Sequence, residues 1–277
     1  MICFPNCKIN LGLYITNRRN DGYHDLETVF YPLTGLTDAL EVVPAKGSAT
    51  RLLTEGAGIA GETEQNLVWK AYELVKQRFP AKVPAMDIHL LKNIPMGAGM
   101  GGGSADGAFM LKLLNDYCSL ELTGKILAEM ALQLGSDCPF FIYNTPQFAQ
   151  GRGEQMTPLP LLDLSAYTIQ VICPQLHVAT KEAFTLITPR KPVFDLRTIQ
   201  ELPVSQWRDV ISNDFEAPVF AQHPGMADIK RELYAQGAIY ASMTGSGSAI
   251  YGIFEKGMGA KIEAAIPFVS YLTGAAF

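Results

Sequence analysis

From Lys8 to Ile15 apolar positions alternate with the others. Ile9, Leu11, Leu13 and Ile15 project to one side, and Lys8, Asn10 and Gly12 to the other. A period of two predicts a strand that carries Lys8 and Asn10 on one face. Ala39–Val43 and Met86–Leu91 read as further strands, and Asn20-Asp21-Gly22 as a turn ahead of Tyr23 and His24. Between them the period lengthens. Asn66 stands as the N-cap of a helix whose inward stripe is Leu67, Val68, Ala71, Leu74 and Val75. Phe109–Tyr117 is helix-like, and Thr123 opens another helix with Leu127, Met130, Ala131 and Leu134 inward and Gly135 as its C′ residue.

Gly151–Pro160 is dense in glycine and proline and marks a boundary. Beyond it the pattern resumes with a strand over Tyr167–Cys173 and helices near Thr180–Ile187 and Met226–Gln236. A strand pair around Ala241–Phe254, a helix near Ala260–Ile266 and a last strand complete it. Strands and helices interleave in both halves, so the fold class expected is α+β in two domains, residues 1–152 and 153–277.

Against that background the segment from Pro95 to Ala108 stands apart, with six glycines in fourteen positions. Glycine lets backbone amides approach a ligand closely, and a helix that follows adds free N–H donors with a partial positive charge; phosphate suits such a turn. Gly97-x-Gly99-x-x-Gly102 matches the dinucleotide fingerprint, which alone is weak. Gly97 and Gly102 also have P-loop spacing, but Gly103 stands where that loop needs lysine, and no protein-kinase triplet occurs in the chain. A second small-residue loop, Thr244-Gly245-Ser246-Gly247-Ser248, lies between two apolar strands. On its own it is equally a tight hairpin turn.

The 277 residues are 48% hydrophobic and 18% charged, as in an ordinary folded protein, and a net charge of −5 without any basic cluster argues against nucleic acid or an anionic membrane as partner. Five cysteines without a C-x-x-C pair and four histidines without ligand spacing make a disulfide framework or zinc site improbable. Proline and asparagine interrupt the amino terminus before a signal-peptide core could form, and no apolar run approaches a membrane span. A reducing cytoplasm is the expected location.

Lys8-x-Asn10-x-Gly12, Pro95–Ala108 and Thr244–Ser248, in that order, resemble the three motifs of the GHMP small-molecule kinases. Asp21-Gly22-Tyr23-His24, Gly135-Ser136-Asp137-Cys138-Pro139-Phe140-Phe141 and Thr180-Lys181-Glu182-Ala183-Phe184 narrow the resemblance to members that act on a cytidine-diphosphate sugar alcohol. It spans nearly the whole chain. The resemblance implies an amino-terminal ribosomal S5 domain 2-like half with a left-handed βαβ crossover, a ferredoxin-like carboxy-terminal half, and an active site in the cleft between them. It implies that ATP, with Mg²⁺, phosphorylates the 2-hydroxyl of 4-diphosphocytidyl-2-C-methyl-D-erythritol in isoprenoid precursor biosynthesis.

The same resemblance distributes roles. Asp137 would take the proton of the acceptor hydroxyl, and Lys8 would favour the ionised carboxylate and offset charge near the transferring phosphoryl. Pro95, Met96, Gly97, Ala98, Gly99, Met100, Gly101, Gly102, Gly103, Ser104 and Ala105 would surround the phosphates, and Asn66 and Lys92 would approach the adenosine. Gly245, Ser246 and Gly247 form the second glycine loop. Tyr23 and Phe184 would sandwich the cytosine with His24 on its edge, and Asn10 would hold the acceptor near the reacting hydroxyl. No residue is assigned to the metal, because Asp106 reads better as a first-turn carboxylate favouring the helix dipole.

Overall fold

The computed structural model describes residues 1–56 and 62–273. Its strands are β1 (Ile2–Cys3), β2 (Asn6–Arg18), β3 (His24–Thr37), β4 (Ala39–Pro44), β5 (Arg51–Gly56), β6 (Met86–Lys92), β7 (Gln147–Gly151), β8 (Gln155–Pro158), β9 (Tyr167–Pro174), β10 (Tyr240–Met243), β11 (Ile250–Glu255) and β12 (Phe268–Thr273). Its helices are α1 (Leu67–Arg78), α2 (Gly102–Tyr117), α3 (Gly124–Leu134), α4 (Cys138–Tyr143), α5 (Thr180–Thr185), α6 (Trp207–Val210), α7 (Glu216–Gln222) and α8 (Pro224–Ala235). Two compact units result. One comprises Met1–Cys7, Leu36–Met96 and Gly101–Asn144, the other Lys8–Gly35, Gly97–Met100 and the described residues from Thr145 onward.

In the first unit the sheet order is β1-β4-β6-β5, with β4 antiparallel and β5 parallel to β6. Parallel neighbours need a crossover, and α1 supplies it, so β5–α1–β6 is the βαβ element expected of this half. Asn66 starts α1 by accepting the Val68 amide on its side chain at 2.9 Å, and Val68, Ala71, Tyr72 and Val75 form the buried stripe. Helix α2 begins at Gly102, well before the Phe109 that the apolar pattern indicates. Its small residues Ala105, Gly107 and Ala108 are buried, and a Cβ on Gly107 would lie 3.0 Å from Leu67 Cβ. Close helix packing outweighs the low helix propensity of glycine there. Thr123 caps α3 through the Ile126 amide. Gly135 ends α3 in extended geometry, φ 169°, because the chain runs straight on towards α4.

The second unit holds two sheets. In the carboxy-terminal one, β10-β11-β9-β12, every pair is antiparallel. Numbered by appearance, its strands lie in the order 4-1-3-2, which is the ferredoxin-like order. Helix α8 packs Met226, Ile229 and Leu233 against Ala241, Met243, Ile250 and Phe254. The helix expected near Ala260–Ile266 is absent, and residues 258–267 carry no helix or strand. Their burial has a period of two instead: Ala260, Ile262, Ala264 and Ile266 pack on the core while Lys261, Glu263 and Ala265 face outward. Pro267 favours extended backbone at Ile266. Two glutamines hold this strap in place of helical bonds. Gln170 accepts from the Ala260 amide at 2.7 Å and donates to its carbonyl at 2.9 Å, and Gln236 does the same for Lys261 at 2.7 and 2.8 Å.

The other sheet is β2-β3-β7-β8, and its first strand carries Lys8 and Asn10. Alternation along β2 suggests one wet face, yet Asn6–Ile15 is buried throughout. Lys8 and Asn10 therefore sit in the interior, 3% and 2% exposed. Polar groups so placed need partners.

Candidate active site around two glycine turns

Gly97, Gly99 and Gly101 all adopt left-handed backbone, φ +69°, +78° and +72°, while the intervening Ala98 and Met100 are buried. Each carbonyl from Ala98 to Gly101 is bound: Ala98 to the Ala249 amide at 3.1 Å, Met100 to the Lys8 amide at 3.0 Å, and Gly101 to the Ala105 amide at 2.9 Å. The Gly99 carbonyl accepts Lys8 Nζ at 2.8 Å and the Thr244 hydroxyl at 3.2 Å. Across a trans peptide the N–H points opposite to the carbonyl. The amides of Gly99 and Met100 are thereby directed away from those carbonyl contacts, the orientation an anion-binding turn requires.

The two glycine turns abut. A Cβ on Gly99 would fall 2.1 Å from the Thr244 carbonyl oxygen, and one on Gly245 would fall 3.0 Å from Gly99 Cα. Asn213 clamps the second turn, donating from Nδ2 to the carbonyls of Met243 and Gly245, both at 2.8 Å. Ser246 lies 3.0 Å from the Thr180 hydroxyl at the start of α5, and His177 Nδ1 would be 3.2 Å from a Cβ on Gly97.

Beside these turns Lys8 Nζ also donates to Asn10 Oδ1 at 2.6 Å and lies over the Phe30 ring. Asn10 is engaged at both ends of its amide, Nδ2 donating to Thr28 at 2.9 Å and Oδ1 accepting from Thr244 at 3.1 Å. The Thr28 hydroxyl donates to the Gly12 carbonyl at 2.5 Å. Gly12, φ +73°, has no room for a side chain, since a Cβ would meet Leu196 and Ile211 within 2.9 Å. A fixed ammonium at the glycine turn is the result.

Within the first unit, the opening turn of α2 presents the amides of Gly102, Gly103 and Ser104, which a helix leaves without internal acceptors. The Cys138 thiol is buried near Ser104, and burial pushes it up to about 12. That neutral thiol is no nucleophile. Packing of α4 on α2 places the start of α4, and with it Asp137. Asp137 is half-buried at the N-cap position of α4 and makes no capping bond there. The Lys92 ammonium, expected to approach an adenosine, is buried between Asp38 and Asp106.

Of the three residues expected around a cytosine, His24 and Phe184 are brought together, stacked at 5.0 Å and 25°. Phe184 also meets Phe215 edge-on at 4.9 Å. Tyr23 is exposed, with the Arg152 guanidinium 5.1 Å above its ring. Burial, with Arg18 adding to it, holds the His24 imidazole below its ordinary value. Neutral at physiological pH, it can donate from one nitrogen and accept on the other, as a base edge requires. Sequence reasoning singled out neither Asn213 nor His177, Thr28 or Asp38. They act across long sequence separations and belong to no local pattern.

Residues 66–145 match the GHMP kinases N terminal domain and residues 194–270 the GHMP kinases C terminal domain. The chain is 51% identical over 257 residues to a 4-diphosphocytidyl-2-C-methyl-D-erythritol kinase of Bacteroides thetaiotaomicron, covering 92% of each chain. A crystal structure of 4-(cytidine 5'-diphospho)-2C-methyl-D-erythritol kinase superposes with a TM-score of 0.78 at 32% identity, over 91% of this chain and 90% of that one. Homoserine kinase of Cytophaga hutchinsonii, at 16% identity and a TM-score of 0.67 over 97% and 94%, shares the fold.

Proposed function

The chain belongs to the GHMP kinase family, an ATP-dependent family, and on that premise we propose that it phosphorylates the 2-hydroxyl of 4-diphosphocytidyl-2-C-methyl-D-erythritol, giving the 2-phosphate and ADP. The single observation that carries a phosphoryl-transfer reading is the inward binding of every carbonyl from Ala98 to Gly101, which orients the loop amides for an anion. Residues 1–152 form the ATP-binding half and 153–277 the carboxy-terminal half in this reading.

In the reaction the acceptor oxygen forms a bond to the γ-phosphorus while the bond to the β,γ-bridging oxygen breaks, and ADP leaves with those electrons. The acceptor proton passes to the Asp137 carboxylate and from there to solvent. Amides from Gly97 to Gly103 and the Ser104 hydroxyl hold the β- and γ-groups, with Gly245, Ser246 and Gly247 bracing the loop from behind. Lys8, fixed by Asn10 and the Gly99 carbonyl, offsets negative charge on the transferring group. Asn10 orders both Lys8 and the acceptor. Asn66, the N-cap of α1, lies towards the adenosine. Mg²⁺ carried with the nucleotide would add to the charge neutralisation that these residues provide. Among the described residues there is no group of three or more His, Cys, Asp or Glu that could hold a metal. No described helix is long and apolar enough to cross a membrane.

The cytosine assignment is tested by Phe184→Ala, His24→Ala and Tyr23→Ala. A base stacked on an aromatic ring contributes about 1–3 kcal/mol, so Phe184→Ala raises the KM of the cytidine acceptor roughly ten- to a hundredfold while the KM of ATP stays within about twofold. Unchanged acceptor KM in all three variants removes the cytosine assignment.

A further inference from the structure

A buried charge cluster lies beneath the first turn of α2. Lys92 Nζ donates to Asp106 Oδ2 at 2.7 Å and to Asp38 Oδ2, and none of the three side chains is more than 3% exposed. Asp38 Oδ1 accepts the amides of Asn93 at 2.6 Å and Ile94 at 2.8 Å, fixing the chain that leads into the phosphate loop. Gly102 presses on this cluster. A Cβ there would lie 2.9 Å from Ile94 Cγ2 and 3.4 Å from Lys92 Nζ. The ammonium thus sits directly under the residue that opens the helix. The second oxygen of Asp106, Oδ1, is buried and has no hydrogen-bond partner.

Two carboxyls share one ammonium, so a fully ionised cluster holds a net negative charge in a dry site. An ionised carboxylate with an oxygen lacking a donor is a poor occupant of such a site. We propose that Lys92, Asp38 and Asp106 set the charge under the anion-binding end of α2, with Asp106 taking a proton from solvent when a nucleotide phosphate binds there and returning it on release. The inference rests on the ATP reading above. Phosphate at the α2 amides and a net negative cluster behind them repel one another, and protonation of Asp106 removes the repulsion. Asp106 and Asp38 are positioning residues here, acting through the helix end.

The surroundings leave Asp106 as the group that titrates. Burial pushes its carboxyl up to about 7, with Lys92 pulling down and Asp38 pushing up. On β1, the Cys3 thiol is pushed up to about 12 by burial and stays neutral. Lys112, further along α2, has its ammonium lowered by burial. The sign follows: below pH 7 Asp106 already carries its proton and nucleotide affinity is insensitive to pH. Above it the bound state holds the proton more tightly than the free state, so affinity falls as pH rises.

The test is calorimetric titration of the full chain with a non-hydrolysable ATP analogue under saturating Mg²⁺ at pH 7.5, in buffers of low and high ionisation enthalpy. If a bound phosphate raises the Asp106 value by roughly one unit, wild type takes up about half a proton and its Kd is roughly fourfold weaker at pH 8.5 than at pH 7. Asp106→Asn, which keeps the shape and removes the titration, loses both the uptake and the pH slope. Binding heat without buffer dependence in wild type, or with equal dependence in Asp106→Asn, overturns the proposal and leaves the kinase reading intact. Absence of any binding heat overturns both. Should Asp106→Asn fail to fold, the wild-type buffer dependence decides alone.

Discussion

Asp137→Asn is expected to lower kcat by about 10²–10⁴-fold while the KM of ATP and of the cytidine acceptor stay within a few-fold, the range a positioned general base supplies. An alcohol is a poor nucleophile until its proton has an acceptor, and an amide of the same shape cannot serve. Asp137 holds the N-cap position of α4 without capping it, at the start of a helix packed on α2. Its backbone is therefore placed by residues that the substitution leaves alone. Steady-state kinetics with a thermal melt separates lost chemistry from lost fold. Near-wild-type turnover with normal binding of both ligands would remove Asp137 from the role of base.

Gly99→Ala carries the second large effect. Its Cβ would stand 2.1 Å from the Thr244 carbonyl, at a φ of +78°. The left-handed region alone costs an L-residue roughly 1–2 kcal/mol. The overlap cannot be relieved by a rotamer, because both partners are backbone, so the two glycine turns must part. Expected results are a lower melting temperature and at least about a hundredfold loss of kcat/KM for ATP, equivalent to roughly 2.7 kcal/mol. Gly103→Ala separates packing from binding. A Cβ there meets nothing within 4 Å, so the protein gains helix propensity in α2 and melts no lower than wild type. Its ATP KM nonetheless rises, because the new methyl occupies the space proposed for phosphate. A Gly103→Ala enzyme with unchanged KM would move the phosphates elsewhere on the loop.

The elements β4, β6, β9, α1, α3 and α8 all lie where the apolar pattern places them. The pattern passed over β3, whose 14 residues include Pro32 and Gly35, both unfavourable in strands. It also set the start of α2 too late, because small residues buried for close packing look like loop. Ala260–Ile266, expected as helix, carries the signal of an extended strap. Lys261, Glu263 and Ala265 alternate with Ile262, Ala264 and Ile266, and a proline follows. The glycine turns and their phosphate chemistry could be read directly, since glycine at close approaches has a compositional cost that only backbone needs explain. What holds the turns could not. Asn10 and Thr244 are 234 residues apart, and Lys92 meets Asp38 across 54, so neither pairing leaves a local trace.

The central claim is that this chain phosphorylates one particular tertiary alcohol on a cytidine diphosphate. ADP release from Mg-ATP, measured in parallel with 4-diphosphocytidyl-2-C-methyl-D-erythritol, homoserine, mevalonate and no acceptor, tests it most directly, with phosphorus NMR of the product. Turnover with the cytidine compound alone is expected. The new phosphorus resonance should show no coupling to a carbinol proton, because the carbon bearing the 2-oxygen carries a methyl group instead. Turnover with homoserine or mevalonate in its place, or with none of the acceptors, would contradict the account.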